Sequence, residues 1–215
     1  MIAACLKWVD RRPEVDPLTG AVHTDARMSG ASDADQAALE WALRLGEAAG
    51  DDVVALTAGP VAAEPVLREA LAVGATRAVR VDLSPEVVSE DVARALAAAL
   101  GGPPALVVCG AWSVDRGSGS VPAFLAAELG ACQALGLISL TTGAVLHAER
   151  RLDGGRRERL AIPSPAVISV EGGSARLRRA AMGAVIGASR APIEIAAAPA
   201  GATRTATTAV TRPFR

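Results

Sequence analysis

A chain of 215 residues is long enough to bury a full core and fits one large domain, or one domain with an arm. Although 51% of its residues are hydrophobic, no run approaches the ~20 uninterrupted apolar residues of a membrane span. The three cysteines lack metal-site spacing and are odd in number, arguing against a zinc site or a disulfide framework. A net charge of −1 and only five aromatic residues argue against a nucleic-acid surface built on stacking rings.

The chain opens on Met1-Ile2-Ala3-Ala4-Cys5-Leu6-Lys7, an apolar run with no basic segment before it and no cleavage site. It reads as a first strand over residues 2–6 rather than a signal peptide, and the protein is expected in the cytoplasm. Asp16-Pro17-Leu18-Thr19-Gly20 is a turn sequence, so residues 10–30 are expected to make a hairpin excursion. Apolar runs of strand length at 52–56, 78–81 and 106–109 then alternate with segments of helical period at 33–49, 64–73 and 85–100. Gly50, Gly74 and Gly101 supply the helix stops. This alternation is the signature of an α/β fold with a mostly parallel sheet covered on both faces.

After the fourth strand the chain breaks into Gly110-Ala111-Trp112-Ser113-Val114-Asp115-Arg116-Gly117-Ser118-Gly119-Ser120, and a helical pattern continues from Val121 to Glu128. Small residues let backbone N–H groups approach an anion, and the free N–H groups of the next helix add partial positive charge. A phosphate cradle and an ordinary strand-to-helix turn share this pattern. Asp115 suits either, anchoring the loop or bonding its own turn backbone. Lys7 is the sole lysine and stands at the end of the first strand, which makes it a pocket candidate. Asp33 and Asp35 read as a helix N-terminal cap rather than an acid/base pair, and Cys109 as a small core residue rather than a nucleophile.

A second hairpin is expected from residues 145–151 and 156–162, joined at Leu152-Asp153-Gly154-Gly155. It lies in the basic part of the chain, since residues 146–190 carry 9 Arg against 4 acids. That segment suits either an acidic partner or a solvated hairpin. Beyond Ile195 the sequence of Ala, Thr, Pro and Arg has no period and reads as a short extended tail.

Several catalytic classes lack their motifs. No G-x-G-x-x-G follows the first strand, no P-loop lysine exists, and neither Ser118 nor Ser120 sits in a G-x-S-x-G elbow. His23 and His147, the only histidines, fall in turn or hairpin segments. What remains is nucleotide binding without obvious bond-breaking machinery.

Three stretches carry a family resemblance. Residues 148–169, from Ala148-Glu149-Arg150-Arg151-Leu152-Asp153-Gly154-Gly155 through Ile162-Pro163-Ser164-Pro165-Ala166-Val167-Ile168-Ser169, resemble the signature of the electron transfer flavoprotein beta subunit family at all specified positions but Ser169. Ala58-Gly59-Pro60 with Leu67-Arg68-Glu69-Ala70-Leu71-Ala72-Val73-Gly74-Ala75 is similar to a second family block, and the loop from Gly110 to Val121 to the family's nucleotide loop. The likeness covers nearly all of residues 1–195.

The resemblance implies a three-layer Rossmann-like fold of the adenine nucleotide alpha hydrolase type. Residues 1–195 would form the nucleotide-binding domain, and residues 196–215 a short tail in place of the arm of relatives. It also implies a heterodimer with an alpha subunit that holds a redox-active FAD, receives electrons from a flavin- or nicotinoprotein-type dehydrogenase, and passes them to a downstream acceptor. By itself this subunit would not be an enzyme, and it would neither bind nucleic acid nor insert in a membrane. Its own pocket would hold a structural AMP, or a second FAD as in bifurcating relatives. Carried over by position, that pocket comprises Cys5, Ser32, Asp33, Ala34, Asp35, Ala58, Gly110, Ser113, Val114, Asp115, Gly117, Ser118, Gly119, Ser120 and Val121, with backbone N–H groups near 117–121 meeting the phosphate.

Departures from the family pattern accompany the match. Ser32-Asp33-Ala34-Asp35 stands where many relatives carry Asn-Pro-Phe, and Arg12 stands near the place of a flavin-facing aromatic. A partner-recognition loop would map to Met182, Gly183, Ala184 and Val185, with Met182 as an adaptable anchor, without the lysines that come next in relatives. The short tail and the Arg- and Ala-rich bias are similar to divergent beta subunits of actinobacterial mycofactocin systems. A stand-alone adenine-nucleotide regulator of the universal-stress type is the alternative, although it leaves residues 148–169 unexplained.

Overall fold

Strands whose side chains are buried on both faces can only stand inside a sheet covered by helices on both sides, and a computed structural model, describing residues 1–201 and 204, has that arrangement. In chain order the elements begin with β1 (Ile2–Cys5), β2 (Trp8–Asp10), β3 (Glu14–Val15), β4 (Val22–His23), β5 (Ser29–Ala31) and α1 (Asp33–Ala49). They continue with β6 (Val53–Gly59), α2 (Glu64–Val73), β7 (Arg77–Asp82), α3 (Ser89–Leu100), β8 (Leu106–Gly110) and α4 (Val121–Leu129). The remainder is β9 (Cys132–Thr141), β10 (Leu146–Arg151), β11 (Arg157–Ile162), β12 (Ala166–Val170), α5 (Met182–Arg190) and β13 (Glu194–Ala197).

Nine of these strands form one sheet in the order β11-β10-β9-β12-β8-β1-β6-β7-β13. The seven strands from β9 to β13 pair in parallel, and the β10–β11 hairpin adds antiparallel to β9. Alternation divides the interior into two layers. Ile2, Ala4, Val53, Ala55, Leu106 and Val108 face α1 and α2, whereas Ala3, Val54, Leu56, Val107, Cys109 and Val167 face α3 and α4.

Chain order sets where a ligand can enter. From β1 the chain winds through α1, β6 and α2 to β7, then crosses back through α3 to β8 on the other side of β1. The carboxyl ends of β1 and β8 therefore flank the point at which the strand order reverses, the place where open α/β sheets hold ligands.

Both hairpin excursions form. β2 pairs with β5 and β3 with β4, while β10 pairs with β11 as the second expected hairpin. The predicted helices at 33–49 and 64–73 match α1 and α2. The third helix starts at Ser89 rather than Pro85, because residues 84–88 make a turn in which Val87 N–H bonds Ser84 C=O. Strands β9, β12 and β13 and helix α5 add to the elements that the sequence pattern predicts. The tail predicted to be extended from residue 196 instead begins in the sheet, where Ala196 and Ala197 pair with Val81 and Asp82 in β13. The rest of that tail, apart from residues 198–201 and 204, lies outside the described residues.

The basic hairpin largely neutralises itself. Arg159 pairs with Glu149 at 2.8 Å, Arg150 with Glu158 at 2.5 Å, and Arg151 with Glu171 at 2.9 Å. Among the described residues, no helix is long and apolar enough to cross a membrane.

Close approach of α1 to β6 rests on Gly46, where an added Cβ would lie 2.6 Å from Val53 Cγ2 and 2.9 Å from the Asp51 carbonyl oxygen. Alanine in a helix interior ordinarily gains ~1 kcal/mol over glycine. Here the backbone carbonyl cannot give way, so Gly46→Ala is expected to destabilise the fold by about 1–3 kcal/mol in urea unfolding, and a gain in stability would contradict this packing. Cys5 and Cys109 are buried in register on adjacent strands, whereas Cys132 is exposed. A thiol reagent such as Ellman's is accordingly expected to titrate one thiol quickly in the native chain and all three after denaturation.

Candidate functional site

The first turn of α1 is the foundation of the site. Ser32 takes extended backbone angles as N-cap, and its Oγ accepts a hydrogen bond from Asp35 N–H at 3.1 Å while donating to Asp35 Oδ2 at 2.8 Å. This reciprocal arrangement is a capping box with Asp in the third position. Ser32 is thus the cap itself, a role the sequence pattern assigns to the Asp33 and Asp35 pair. Asp33 is exposed, Ala34 is buried, and Asp35 is only 5% exposed.

Burial of Asp35 has an identifiable cause. The turn sits directly on the end of β8, where a Cβ on Gly110 would lie 2.7 Å from Asp35 Oδ1 and 3.1 Å from the Ala34 carbonyl carbon. Only glycine fits there. Desolvation pushes the Asp35 carboxyl up to about 6, and the Ser32 hydroxyl and the Lys7 backbone N–H offset only part of that cost.

From Gly110 the loop crosses the strand ends to α4. Gly117 and Gly119 hold positive φ of 63° and 56°, angles that favour glycine. A Cβ on Gly119 would lie 2.4 Å from the Ala111 carbonyl oxygen, so the loop folds back on its own start. Within the expected run of phosphate-facing amides, Gly117 N–H is already taken by Ser113 C=O at 2.8 Å. The amides of Ser118, Gly119 and Ser120 donate no hydrogen bond within the chain among the described residues. The Ser118 and Ser120 hydroxyls lie 3.0 Å apart, and Val121 opens α4.

Lys7 locks this loop to β1. Its Nζ donates to Asp115 Oδ2 at 2.6 Å, to Oδ1 at 2.8 Å and, more weakly, to Ser113 Oγ at 3.4 Å. Burial pushes the Asp115 carboxyl up, but the Lys7 ammonium and the Ser113 hydroxyl outweigh it and hold Asp115 below the usual carboxylate range. Asp115 also accepts from Arg116 N–H at 2.8 Å, so it bonds its own turn as well as Lys7.

Cys5 and Cys109 lie under the loop on the α3/α4 side, and Ala58 stands near the end of β6 on the same side. The Cys5 thiol beside it and burial push the Cys109 thiol well up, so it stays an uncharged core group rather than a nucleophile. A cavity of about 730 Å³ opens where the cradle ends, between the residues 10–30 excursion and α1, with Arg11, Arg12, Met28, Trp112, Val114 and Gly172 in its wall. Gly172 permits this wall to close on α1, since a Cβ there would lie 3.0 Å from Asp33 Cβ.

The residues expected in the pocket therefore come together around one strand-order reversal. Met182, Gly183, Ala184 and Val185 do not join them. They form the first turn of helix α5 rather than a loop, and α5 packs on α2 with Met182 75% exposed. Arg68 fixes that helix by donating to the Ala188 and Ala191 carbonyls. Lys7, a candidate from its position alone, proves to be the loop's anchor, and the structure adds Arg116 and Gly172, which no motif singles out. For Gly172 the readable signal is Glu171-Gly172-Gly173-Ser174, directly after strand β12.

Comparison with known proteins agrees with this architecture. A family model described as the electron transfer flavoprotein domain matches residues 19–201. Protein FixA of Azorhizobium caulinodans is 30% identical over 208 residues, covering 90% of this chain and 74% of that protein. Protein FixA of Bradyrhizobium diazoefficiens is 31% identical over 203 residues, covering 88% and 70%. The mitochondrial electron transfer flavoprotein subunit beta of Oryza sativa subsp. indica is 37% identical over 145 residues, covering 62% of this chain and 55% of its own. With the matched segment spanning the loop, the hairpin and β12, the chain belongs to the electron transfer flavoprotein beta subunit family.

Proposed function

We propose that this chain is the beta subunit of a heterodimeric electron transfer flavoprotein of the cytoplasm, and that the cradle after β8 holds an adenine nucleotide, AMP, that is not consumed. One observation carries the reading: the 110–121 loop turns back on itself at Gly119 and presents the amides of Ser118, Gly119 and Ser120 at the strand-order reversal. The residues fit a phosphate. Those amides supply neutral donors, Lys7 supplies a cation within reach of Asp115, and the loop ends at the N-terminus of α4.

A second FAD is the other occupant to consider, and the cavity of about 730 Å³ beside the cradle favours it. Arg11, Arg12 and Trp112 stand in that wall, Arg12 near the place of the flavin-facing aromatic of relatives.

FAD held by the alpha subunit supplies the redox chemistry of the complex. This chain's residues position rather than react: Lys7 and Asp115 hold the loop on β1, Ser32 and Asp35 hold α1 on β8, and the exposed Met182 face of α5 docks the dehydrogenase donor. No residue of the cradle breaks a bond, because Cys109 is buried and neutral and the hydroxyls of Ser118 and Ser120 have only each other as partners among the described residues.

The full chain, purified and denatured, is expected to release about one adenine nucleotide, identified by chromatography as AMP or FAD. Gly119→Ala is expected to reduce that occupancy at least tenfold while keeping the fold, since strained backbone and clash together cost more than about 1.4 kcal/mol. A wild-type chain that neither carries nor binds AMP or FAD would overturn the reading.

Asp35 sets a pH signature of the same site. Its folded pKa of about 6 lies above the ordinary 3.8, so the native state binds the proton more tightly than the unfolded chain. The Asp35 contribution is therefore fully favourable below about pH 4 and is lost as pH rises toward 6, by on the order of 3 kcal/mol at 1.36 kcal/mol per pKa unit. Asp35→Asn is expected to unfold at higher urea than wild type at pH 7.5, by about 1–3 kcal/mol, with the advantage gone at pH 4. A variant less stable than wild type at pH 7.5, with the deficit shrinking toward pH 4, would show that the carboxylate is wanted in its charged form.

A further inference from the structure

We propose that Arg204 and the turn at residues 84–88 form a strap that holds the 110–121 loop in place, so that the Arg204 anchor governs how fast the cradle opens. The effect on a bound nucleotide rests on the function proposed above; the mechanical coupling does not.

The contacts form an unbroken series. Arg116, the residue after the Lys7 partner Asp115, extends away from the cradle and donates from Nη1 to the Val87 carbonyl and from Nη2 to the Pro85 carbonyl, both at 2.7 Å. One planar guanidinium thereby grips two carbonyls of a single turn, a fork geometry that lysine cannot reproduce. On its other side the same turn is held by Arg204, whose carbonyl accepts from Val88 N–H at 2.8 Å.

Arg204 is itself anchored at the N-terminus of α3. Its backbone N–H and Nε each donate to Asp91 Oδ2 at 3.1 Å, and Nη2 donates to Asp91 Oδ1 at 2.8 Å and Glu90 Oε2 at 2.6 Å. The Asp91 side chain is fully buried beneath these groups. Arg94 reaches the same carboxylate from the next turn at 3.0 Å.

This series explains why α3 begins at Ser89 although a helical pattern starts at Pro85. With residues 85–88 in a helix, the Pro85 and Val87 carbonyls would be drawn into the helix ladder and lost to Arg116. The turn is kept open, and it connects two segments of chain, around residues 116 and 204, that are distant in sequence.

Hydrogen exchange followed by mass spectrometry on the full chain tests the coupling without any ligand. Arg204→Ala is expected to speed exchange of the hydrogen-bonded Arg116 and Gly117 amides about threefold to tenfold and Arg116→Ala that of the Gly117 amide about tenfold, as loss of one or two charge-assisted hydrogen bonds dictates. Arg116→Lys is expected to restore only part of the protection. Exchange of the Arg116 and Gly117 amides unchanged in Arg204→Ala overturns the strap, whatever the cradle binds. Release of a fluorescent N-methylanthraniloyl-AMP, chased with excess AMP, then reads the functional consequence. Faster release in both variants, with melting temperature within a degree or two of wild type, supports control of the cradle by the strap. Release at the wild-type rate overturns that control, while failure of wild type to bind the probe or FAD counts against the nucleotide reading alone.

Discussion

The seating of α1 on the end of β8 is the constraint on which the rest depends. A helix N-terminus can approach a strand end this closely only if the strand offers no side chain, and Gly110 offers none. Three features of the site are direct consequences of that approach. The first-turn carboxylate is buried whether or not burial suits it, Ser32 must satisfy it from within the same turn, and the loop leaving Gly110 has to pass over the strand ends rather than along α1. The proposed role, positioning a nucleotide without consuming it, needs this kind of rigidity more than it needs reactive groups.

Much of this is legible in the sequence where the chain obeys local rules. Helix α1 ends at the Gly50 stop, α2 ends at Gly74, and the strands β1, β6, β7 and β8 are short apolar runs between turn residues. The elements that are not legible are hidden for physical reasons. Strand β9 carries Gly136 at φ 70° and shifts register against both neighbours, so its buried residues Ala134, Leu137 and Leu140 recur at a spacing of three rather than two. Strand β12 comes after a Pro-Ser-Pro turn, and its short Ala166-Val167-Ile168 core is embedded in a region whose composition is dominated by arginine. Helix α5 has weak periodicity because its outer face is apolar, with Met182, Val185 and Ile186 exposed. Site contacts such as Lys7 with Asp115 and Arg116 with Pro85 join residues far apart in sequence, and no local pattern encodes them.

Electrostatics divides labour between side-chain types. Arginines act as ties between segments: Arg178 binds buried Glu40 through both its backbone N–H and Nε at 3.0 Å, and buried Arg80 joins the Gly59 carbonyl, Glu64 and Asp82 at the ends of β6 and β7. Planar, multiply donating groups suit such fixed junctions. The sole lysine, a compact cation, ties β1 to the loop through Asp115 and Ser113.

The sheet topology also has a consequence for the order in which the molecule is made. Strand β7 is an edge until β13 joins it, and the partners Val79 and Glu194 are more than a hundred residues apart. The Arg77–Glu194 pair at 2.7 Å sets the register of that closure. On a ribosome delivering the chain from its N-terminus, the β1-β6-β7 unit therefore waits with an unpaired edge while β8, the loop and the hairpin are synthesised. Arg77 places an exposed charge on that waiting strand, a means of keeping a nascent sheet from recruiting a neighbouring chain in place of its own late strand.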